Sequence, residues 1–361
     1  MIKVFVIDDS AVVRQALGHL LSGDPELQLQ GCAPNPLIAA PMIRKQRPDV
    51  LLLDIEMPGM DGLTFLRQQM QEAPIPTVIC STLTTEGSRM AVDALAAGAV
   101  SVVAKPRLGL RQFLEESRRE LSQALGQAAR SRPRMSAATS TAPAVSAARR
   151  IGVPGPALTA SPPDPALRSL AVNKPVVIGS STGGAQALET VLTALPADSP
   201  GIAIVQHMPE KFTAMYAQRL DALCRVQVRE AKDGDRLERG TVLIAPGGRH
   251  LKLRKAAGQY FAQVLDGPAV NRHRPSVDVL FRSAAECGRG DLLALLLTGM
   301  GDDGARGMKL LYDLGAQTIA QDEASCVVFG MPMEAIKLGA AERVLPLDQM
   351  AGAILQFDAR R

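Results

Sequence analysis

Short apolar runs alternate with amphipathic stretches through the first third of the chain. The run Ile2–Ile7 is followed by Ala11–Leu21, where apolar residues recur at helical spacing, and four more such pairs precede residue 126. This alternation is typical of parallel strands joined by helices, so it predicts a doubly wound α/β sheet. The five strands are predicted at Ile2–Ile7, Leu27–Ala33, Val50–Asp54, Thr77–Cys80 and Val100–Ala104.

The same alternation resumes near residue 176 and continues towards the C-terminus. Further strands are predicted at Val176–Ile178, Gly201–Gln206, Thr241–Ala245, Leu251–Leu253, Leu292–Leu297 and Gln317–Ala320. An antiparallel hairpin is predicted around Ala256–Gln259. Because a chain of 361 residues exceeds the size at which single hydrophobic cores stop growing, the sequence predicts two α/β domains. The second is also expected to be a doubly wound, Rossmann-like parallel sheet.

Residues 126–170 differ from both halves in composition. They are rich in Ala, Ser, Pro and Thr and show little periodic apolar pattern, which is typical of a flexible linker. They hold six arginines and one aspartate, a net charge of +5, which leaves −1 for the rest of a chain whose total is +4. The predicted organisation is therefore a domain at 1–125, a linker at 126–170 and a domain at 171–361.

This placement of charge argues against a nucleic-acid-binding protein. The basic excess lies in the linker rather than on a folded face, and the linker has no aromatic residue on which a base would stack. No apolar run is long enough to span a bilayer, and acids follow the first apolar run where a signal peptide would have its cleavage region, so we expect a cytoplasmic protein without membrane insertion. The five cysteines lack any C-x-x-C spacing, which favours reduced thiols over disulfides or a zinc site.

Polar side chains stand at the ends of successive strands of the first predicted sheet, where chemistry collects in an open parallel sheet. They are Asp8 and Asp9 after the first strand, Asp54 at the end of the third, Ser81 after the fourth and Lys105 after the fifth. Converging carboxylates suit a hard cation such as Mg²⁺, and one carboxylate can then attack a phosphoryl group. A single aspartate at a strand end is more often a loop or cap residue, but the joint pattern favours Asp54 as a phosphoacceptor.

This half of the chain resembles the receiver domain of response regulators over nearly its whole length, including the stretch Asp54–Gly62. The resemblance implies a flavodoxin-like fold and phosphotransfer from a chemotaxis histidine kinase to Asp54. It also implies Mg²⁺ held by Asp8, Asp9 and Asp54, with Ser81 and Lys105 contacting the phosphoryl group. The aromatic residue often found three positions before the lysine is Val102 here.

The second predicted domain opens with an apolar run that ends in the small residues of Gly179–Gly184 and continues into the helical pattern of Ala185–Leu192. A strand, a tight turn and a helix start would expose one hydroxyl beside unpaired helix-terminal N–H groups, where a serine nucleophile belongs. Such a serine needs a histidine base. His207 ends the next strand and is the geometrically favoured base, and His19 is expected to be an ordinary helix residue. For His250 and His273, substrate contact and plain loop solvation are both plausible.

The orienting carboxylate is expected in the turn Thr298–Gly304, which follows the strong strand Leu292–Leu297. Either Asp302 or Asp303 could instead cap the following helix without any catalytic part. Backbone N–H groups after Ser181, beginning with Thr182, and that of Met300 are candidates for an oxyanion hole. The order serine, histidine, aspartate differs from that of α/β-hydrolases, which excludes that superfamily.

From about Val172 onwards the chain resembles the catalytic domain of chemotaxis-receptor methylesterases, the protein-glutamate methylesterases. The resemblance rests on Gly179–Gly184, Gln206–Pro209, Asn271–Asp278, Leu297–Gly304 and Ala320–Pro332. It implies Ser181 as nucleophile, His207 as base and Asp303 as orienting acid, with no cofactor for the ester hydrolysis. Ser180 stands where alanine is common, and Asp302 where asparagine is common.

Together the two resemblances predict a phosphorylation-activated hydrolase. It would demethylate glutamate γ-methyl esters on methyl-accepting chemoreceptors, release methanol and deamidate particular receptor glutamines. The alternative is a response regulator that docks on receptors or on a kinase without esterase activity, and such a protein would lose nothing if Ser181 became alanine.

Overall fold

The structure, a computed structural model, describes residues 1–57, 61–82, 84–105, 111–131, 174–287 and 290–359. The first domain is a five-stranded parallel sheet in the order β2-β1-β3-β4-β5, the flavodoxin-like order. Its strands are β1 (Ile2–Ile7), β2 (Leu27–Ala33), β3 (Val50–Asp54), β4 (Thr77–Ser81) and β5 (Ser101–Ala104). Strands β3 and β4 are buried throughout, as expected for a sheet covered on both faces.

Helices follow each of these strands. They are α1 (Ala11–Ser22), α2 (Pro36–Lys45), α3 (Gly62–Glu72), α4 (Thr85–Ala96) and α5 (Arg111–Ala129). The first four begin where a polar side chain accepts a hydrogen bond from a backbone N–H of the first helical turn, which satisfies a donor that the helix itself cannot pair. These caps are Ser10, Asn35, Asp61 and Thr84.

Helix α5 extends past residue 125, where the sequence analysis placed the end of the first domain. Leu125 and Ala128 are buried against the first sheet, and Gln127 is buried at the border with the second domain, so packing prolongs the helix into the alanine-rich stretch. The helix thus reaches Ala129, four residues into the stretch 126–170 that was predicted to be a linker. The rest of the predicted linker, residues 132–170, lies outside the described residues, as does Pro106.

The second domain is a seven-stranded parallel sheet in the order β14-β13-β12-β6-β7-β9-β8. Its strands are β6 (Val176–Ser180), β7 (Ile202–Gln206), β8 (Gln227–Glu230), β9 (Thr241–Ile244), β12 (Leu293–Leu296), β13 (Gln317–Gln321) and β14 (Arg343–Leu345). The predicted hairpin is present as a separate antiparallel pair, β10 (His250–Ala256) with β11 (Gln259–Leu265). The short outer strands β8 and β14 were not predicted.

The helices of this domain lie on both faces of the sheet. They are α6 (Gly184–Thr193), α7 (Phe212–Leu223), α8 (Val277–Cys287), α9 (Ala305–Asp313), α10 (Met331–Lys337) and α11 (Met350–Ala359), with a 3₁₀ turn at Leu347–Gln349 before the last. No helix in the described ranges has the length and apolar character needed to cross a bilayer.

The strand order of the second sheet changes direction between β6 and β12. The chain runs from β6 outwards to β7 on one side, and later returns to β12 on the other side of β6. In open parallel sheets, the crevice at the carboxyl ends of two such strands is where ligands bind. The residues after β6, β7 and β12 therefore meet at one edge of the sheet.

The two domains are in contact. Helix α4 packs against α6 and α7, and a single buried apolar cluster runs from β3 and α3 of the first domain into β6 and α6 of the second. Two polar links join the same surfaces. The Arg219 guanidinium lies 2.9 Å from the Asp93 carboxylate, and Gln186 donates through Nε2 to the carbonyls of Leu95 and Ala99.

Candidate active site and phosphorylation site

Ser181 lies on a sharp turn between β6 and α6. Gly183 caps α6 with φ of 78°, a left-handed conformation that glycine adopts without strain. A Cβ on Gly183 would also come within 2.5 Å of the Val327 Cβ, so glycine is required there. The two serines of the turn differ in surroundings. Ser180 is fully buried and donates through Oγ to Gln206 Oε1 at 2.7 Å, while the 7% exposed Ser181 lines an interdomain cavity.

His207 follows β7 directly, and its ring faces the turn after β12. Its Nε2 lies 2.8 Å from Asp303 Oδ2. The other ring nitrogen, Nδ1, is buried and has no hydrogen-bond partner in the described part of the chain. The backbone places this ring beside the serine turn, because the His207 N–H donates to the Ser180 carbonyl at 3.1 Å. No hydrogen bond joins Ser181 Oγ to the ring among the described residues, so Nδ1 is the nitrogen left for that hydroxyl.

Asp303 is 1% exposed and accepts hydrogen bonds on both carboxylate oxygens. Its Oδ2 accepts from His207 and from the Val277 N–H, and its Oδ1 accepts from Asn271 Nδ2 and Ser276 Oγ, both at 2.8 Å. Burial by itself raises the pKa of Asp303, but these donors, His207 above all, outweigh it and hold the pKa far below its ordinary value. The carboxylate is therefore ionised and fixed in orientation.

The possibility that Asp302 or Asp303 caps the following helix is wrong. The N-cap of α9 is Gly304, with φ of 90°, and no side chain caps this helix. Asp303 instead accepts hydrogen bonds from His207 and from the loop before α8. Asp302 is partly exposed, and its side chain makes no hydrogen bond in the described ranges. A glycine suits this N-cap because Val277 Cγ1 lies 2.5 Å from where its Cβ would be.

Neither His250 nor His273 is an ordinary solvated loop residue, while substrate contact by either histidine stays a prediction. His250 is 3% exposed, and its ring links two points of the loop before α8, since Nε2 lies 2.9 Å from the Pro268 carbonyl oxygen and Nδ1 accepts from the Ser276 N–H at 3.3 Å. His273 stacks on His207, with ring centroids 3.8 Å apart and planes at 5°. Burial, together with the neighbouring His207, lowers the pKa of His273 to about 4.

The candidate oxyanion donors lie close to the serine. A Cβ on Gly299 would approach the Ser181 Cβ to 2.7 Å, so the turn that holds Met300 packs directly on Ser181. The Ser181 N–H is already paired with the Thr298 carbonyl at 3.0 Å. In the parts of the chain that are described, the N–H groups of Thr182 and Met300 donate no backbone hydrogen bond, so both are available to an oxygen at Ser181.

The first domain brings its predicted acids and lysine together. Lys105 Nζ lies 2.8 Å from Asp54 Oδ2 and 3.2 Å from Asp8 Oδ2, and oxygens of Asp8, Asp9 and Asp54 lie within 4.8 Å of one another. Burial raises the pKa of Asp54 despite the nearby ammonium, because removal from water disfavours the ionised carboxylate. Asp8 and Asp54 are 1% exposed and Asp9 is open to solvent, a set of hard oxygen donors that fits Mg²⁺ with retained waters.

Ser81 lies at the end of β4, and Val102 lies on the neighbouring strand β5. The Ser81 hydroxyl is buried and donates to the Gly87 carbonyl at 3.0 Å, in the first turn of α4. Val102 is 7% exposed and faces the cavity between the domains rather than the acidic cluster. Ser81 therefore connects the strand ends to α4, the helix that packs on the second domain.

A cavity of about 640 Å³ separates the serine turn from the first domain. Its walls include Ser181, His207 and His273 from the second domain and residues of β5 and α5 from the first. Contacts across its rim are direct, since Thr182 Oγ1 donates to Gln127 Oε1 at 2.5 Å and the Gly183 N–H reaches the Val100 carbonyl at 3.4 Å. In this arrangement the first domain covers the approach to Ser181.

Comparison with known proteins supports the assignment of both domains. Residues 4–115 match the response regulator receiver domain, and residues 176–354 match the CheB methylesterase domain. A curated protein-glutamate methylesterase/protein-glutamine glutaminase of Xanthomonas campestris is 55% identical over 354 residues, which is 97% of this chain and 99% of that protein. The chain belongs to this family. A homologue of the same name from Chromobacterium violaceum is 52% identical and covers 97% of each chain.

A solved structure supports the assignment of the second domain to the family. The catalytic domain of the Thermotoga maritima CheB methylesterase is 40% identical, with a TM-score of 0.50 over 52% of this chain and 99% of that one. The prediction of a receiver domain followed by a methylesterase domain of α/β fold is thus confirmed. The positions proposed for phosphorylation fall in the first matched range, and Ser181, His207 and Asp303 fall in the second.

Sequence reasoning missed the residues that hold Asp303 and His207 in place. Asn271 and Ser276 donate to Asp303, and His250 fixes the loop on which both stand. Asn271, Ser276 and His250 lie in or beside polar stretches without helical or strand periodicity, so the pattern of apolar residues predicted no structural role for them. The available signal was the density of polar residues in Asn271–Asp278, which is unusual for the start of a buried helix.

Proposed function

We propose that this protein hydrolyses glutamate γ-methyl esters on chemoreceptors, releasing methanol, and deamidates particular receptor glutamines. It would act in the cytoplasm and receive its phosphoryl group from a chemotaxis histidine kinase. The observation that supports this best is the contact of 2.8 Å between His207 Nε2 and Asp303 Oδ2 beside the Ser181 turn. Family membership supports the reaction class, because the homologues are named for these two activities.

In the proposed reaction, Ser181 Oγ attacks the ester carbonyl while its proton passes to His207 Nδ1. Asp303 stabilises the imidazolium that forms, and the N–H groups of Thr182 and Met300 stabilise the oxyanion. The tetrahedral intermediate then expels methoxide, which takes the proton from His207 and leaves as methanol. Water attacks the resulting acyl-enzyme with His207 again as base, so glutamate and free Ser181 are regenerated. This hydrolysis needs no cofactor.

The chemistry of the cleft suits an acidic protein surface. Arg272 and Arg274 are exposed, and both border the cavity at Ser181. Methylation helices rich in glutamate would bring carboxylates to these guanidinium groups, which bind carboxylates in paired geometry. The contact would hold a helix surface across the serine turn.

The receiver is proposed to control access to this cleft. Mg²⁺ held by Asp8, Asp9 and Asp54 would neutralise charge during phosphorylation of Asp54, and Lys105 and Ser81 would contact the phosphoryl oxygens. A Ser81 hydroxyl turned towards the phosphoryl group can no longer donate to the Gly87 carbonyl. Because Gly87 lies in the first turn of α4, and α4 packs on α6 and α7, this loss would loosen the contact between the domains.

Methanol release from methyl-labelled receptor membranes tests the proposal. We expect a small phosphodonor with Mg²⁺ to stimulate release by the wild-type protein and to leave Asp54→Ala at its basal rate. Removing Mg²⁺ with a chelator should abolish the stimulation and spare the basal rate, because the all-carboxylate group of Asp8, Asp9 and Asp54 is the one among the described residues that suits this hard cation. Stimulation of Asp54→Ala equal to that of wild type would exclude Asp54 as the phosphoacceptor.

Removal of the receiver should raise the basal rate. A fragment of residues 171–361 lacks the surfaces that cover Ser181, so we expect it to exceed the unphosphorylated full chain by about 5- to 150-fold, the usual range of a regulatory coupling. The phosphodonor should leave its rate unchanged. A fragment no faster than the unphosphorylated full chain would show that the receiver does not act by covering the cleft.

A further inference from the structure

His273 is the one aromatic ring stacked on His207 in the described part of the chain. The two rings are nearly parallel, with planes at 5° and centroids 3.8 Å apart. His207 thus has Asp303 against its Nε2 edge and His273 against one face, and its Nδ1 edge is left for Ser181. The sequence placed His273 in a loop, and the proposed reaction gives it no part.

The loop that bears His273 is built to hold the ring in place. The backbone closes on itself, since the N–H groups of Val270 and His273 each donate to the other residue's carbonyl at 3.0 and 2.9 Å. Between them Asn271 and Arg272 have φ of 49° and 68°, a conformation unfavourable for residues with a side chain. Asn271 Nδ2 bridges the carboxylates of Asp278 and Asp303 at 2.8 Å each. The ring position is therefore fixed by the same network that fixes Asp303.

Charge at this position would oppose the reaction. Transfer of the serine proton makes His207 an imidazolium, and a second cation 3.8 Å away would repel it. The titratable and charged groups facing His273 are His207, Asp303 and Arg272, and Arg119 and Arg274 also border the cavity. Its low pKa of about 4 means that the ring is neutral near pH 7, so it presents an uncharged aromatic face to His207.

We propose that His273 is a positioning residue whose aromatic face stabilises the imidazolium of His207 during proton transfer from Ser181. A cation over an aromatic face is attracted by the ring quadrupole, and the attraction is larger when water is excluded. The stacking also prevents the His207 ring from swinging away from Asp303. Because the imidazolium forms only as the serine reacts, the interaction favours the transition state over bound substrate. This inference rests on the serine mechanism of the proposed function.

Two substitutions of similar size separate the aromatic face from simple packing. His273→Phe keeps a flat ring that cannot be protonated, and His273→Leu excludes water without an aromatic face. The full-length chain, with phosphodonor and Mg²⁺, would be labelled with a fluorophosphonate that reacts with activated serines. Saturation kinetics then give the maximal labelling rate and the half-saturating concentration separately. Thermal unfolding midpoints of both variants confirm that differences in rate do not reflect misfolding.

We expect His273→Phe to label within about twofold of wild type, and His273→Leu to lose about 3- to 30-fold in maximal rate with its half-saturating concentration unchanged. Equal rates in the Phe and Leu variants, whether both normal or both reduced, would overturn the inference, since packing alone would then account for His273. Absence of labelling in wild type would overturn it together with the serine mechanism. Wild type that is labelled but releases no methanol from receptors would contradict the proposed substrate, while the Phe and Leu comparison still decides the role of the ring.

Discussion

Ser181→Ala is expected to lower methanol release by at least about 10⁴-fold. The alanine removes the one atom proposed to form the acyl-enzyme, and neither His207 nor Asp303 can replace it. Receptor binding should be unaffected, because the 7% exposed Ser181 side chain contributes little surface. Release of labelled methanol and retention on receptor membranes measure the two properties separately.

Ser180→Ala is the matched control for this variant. Ser180 is fully buried, and its hydroxyl donates to Gln206 Oε1 at 2.7 Å instead of facing the cavity. Gln206 in turn donates through Nε2 to the carbonyls of Ser181 and His207, at 2.9 and 3.1 Å, so the loss of one hydrogen bond should cost only a few-fold in rate. If Ser180→Ala abolished activity and Ser181→Ala kept it, the nucleophile would be Ser180 rather than Ser181.

The sequence predicted those parts of the fold that have a strong local signal in the pattern of apolar residues. Buried strands such as Val50–Asp54 and Leu293–Leu296 lie in continuous apolar runs, and each run ends at small or polar residues at its carboxyl end. Because chemistry in parallel sheets collects at those ends, the same runs predicted which turns would hold functional residues, while the choice of Ser181 and Asp303 within their turns came from the family resemblance. The strand order, which brings β6 next to β12, is set by long-range packing and had no local signal.

The parts that were missed depend on tertiary contacts. Strand β14, of three residues, is an edge strand whose Val344 is 45% exposed, so it lacks the apolar run by which a strand is recognised. The roles of His250 and His273 depend on a loop that returns to the sheet edge, which no periodicity encodes. Helix α5 continues past 125 to Ala129, where Leu125 and Ala128 pack on the first sheet and Gln127 accepts a hydrogen bond from Thr182 of the other domain. In each case a distant part of the chain decided the local structure.

Asp303→Asn is expected to lower kcat by about 10⁴-fold with little change in KM. Both oxygens of Asp303 accept hydrogen bonds, Oδ2 from His207 and Val277 and Oδ1 from Asn271 and Ser276. An asparagine places an NH₂ group against donors in either orientation, so His207 loses the partner that fixes its tautomer or the loop before α8 loses its anchor. The variant should also be less stable by about 1–3 kcal/mol, because a buried donor is left unpaired.

Asp302→Asn separates this local chemistry from a general effect of removing negative charge beside the cleft. Asp302 is adjacent in sequence, partly exposed and without a side-chain hydrogen bond in the described ranges. Methanol release and thermal unfolding of both variants should therefore show Asp302→Asn within a few-fold of wild type and of unchanged stability. Similar losses in the two variants would mean that total charge, rather than the hydrogen bond between His207 and Asp303, sets the rate. Near-normal kcat in folded Asp303→Asn would remove Asp303 from the mechanism and leave Ser181 to be activated by His207 alone.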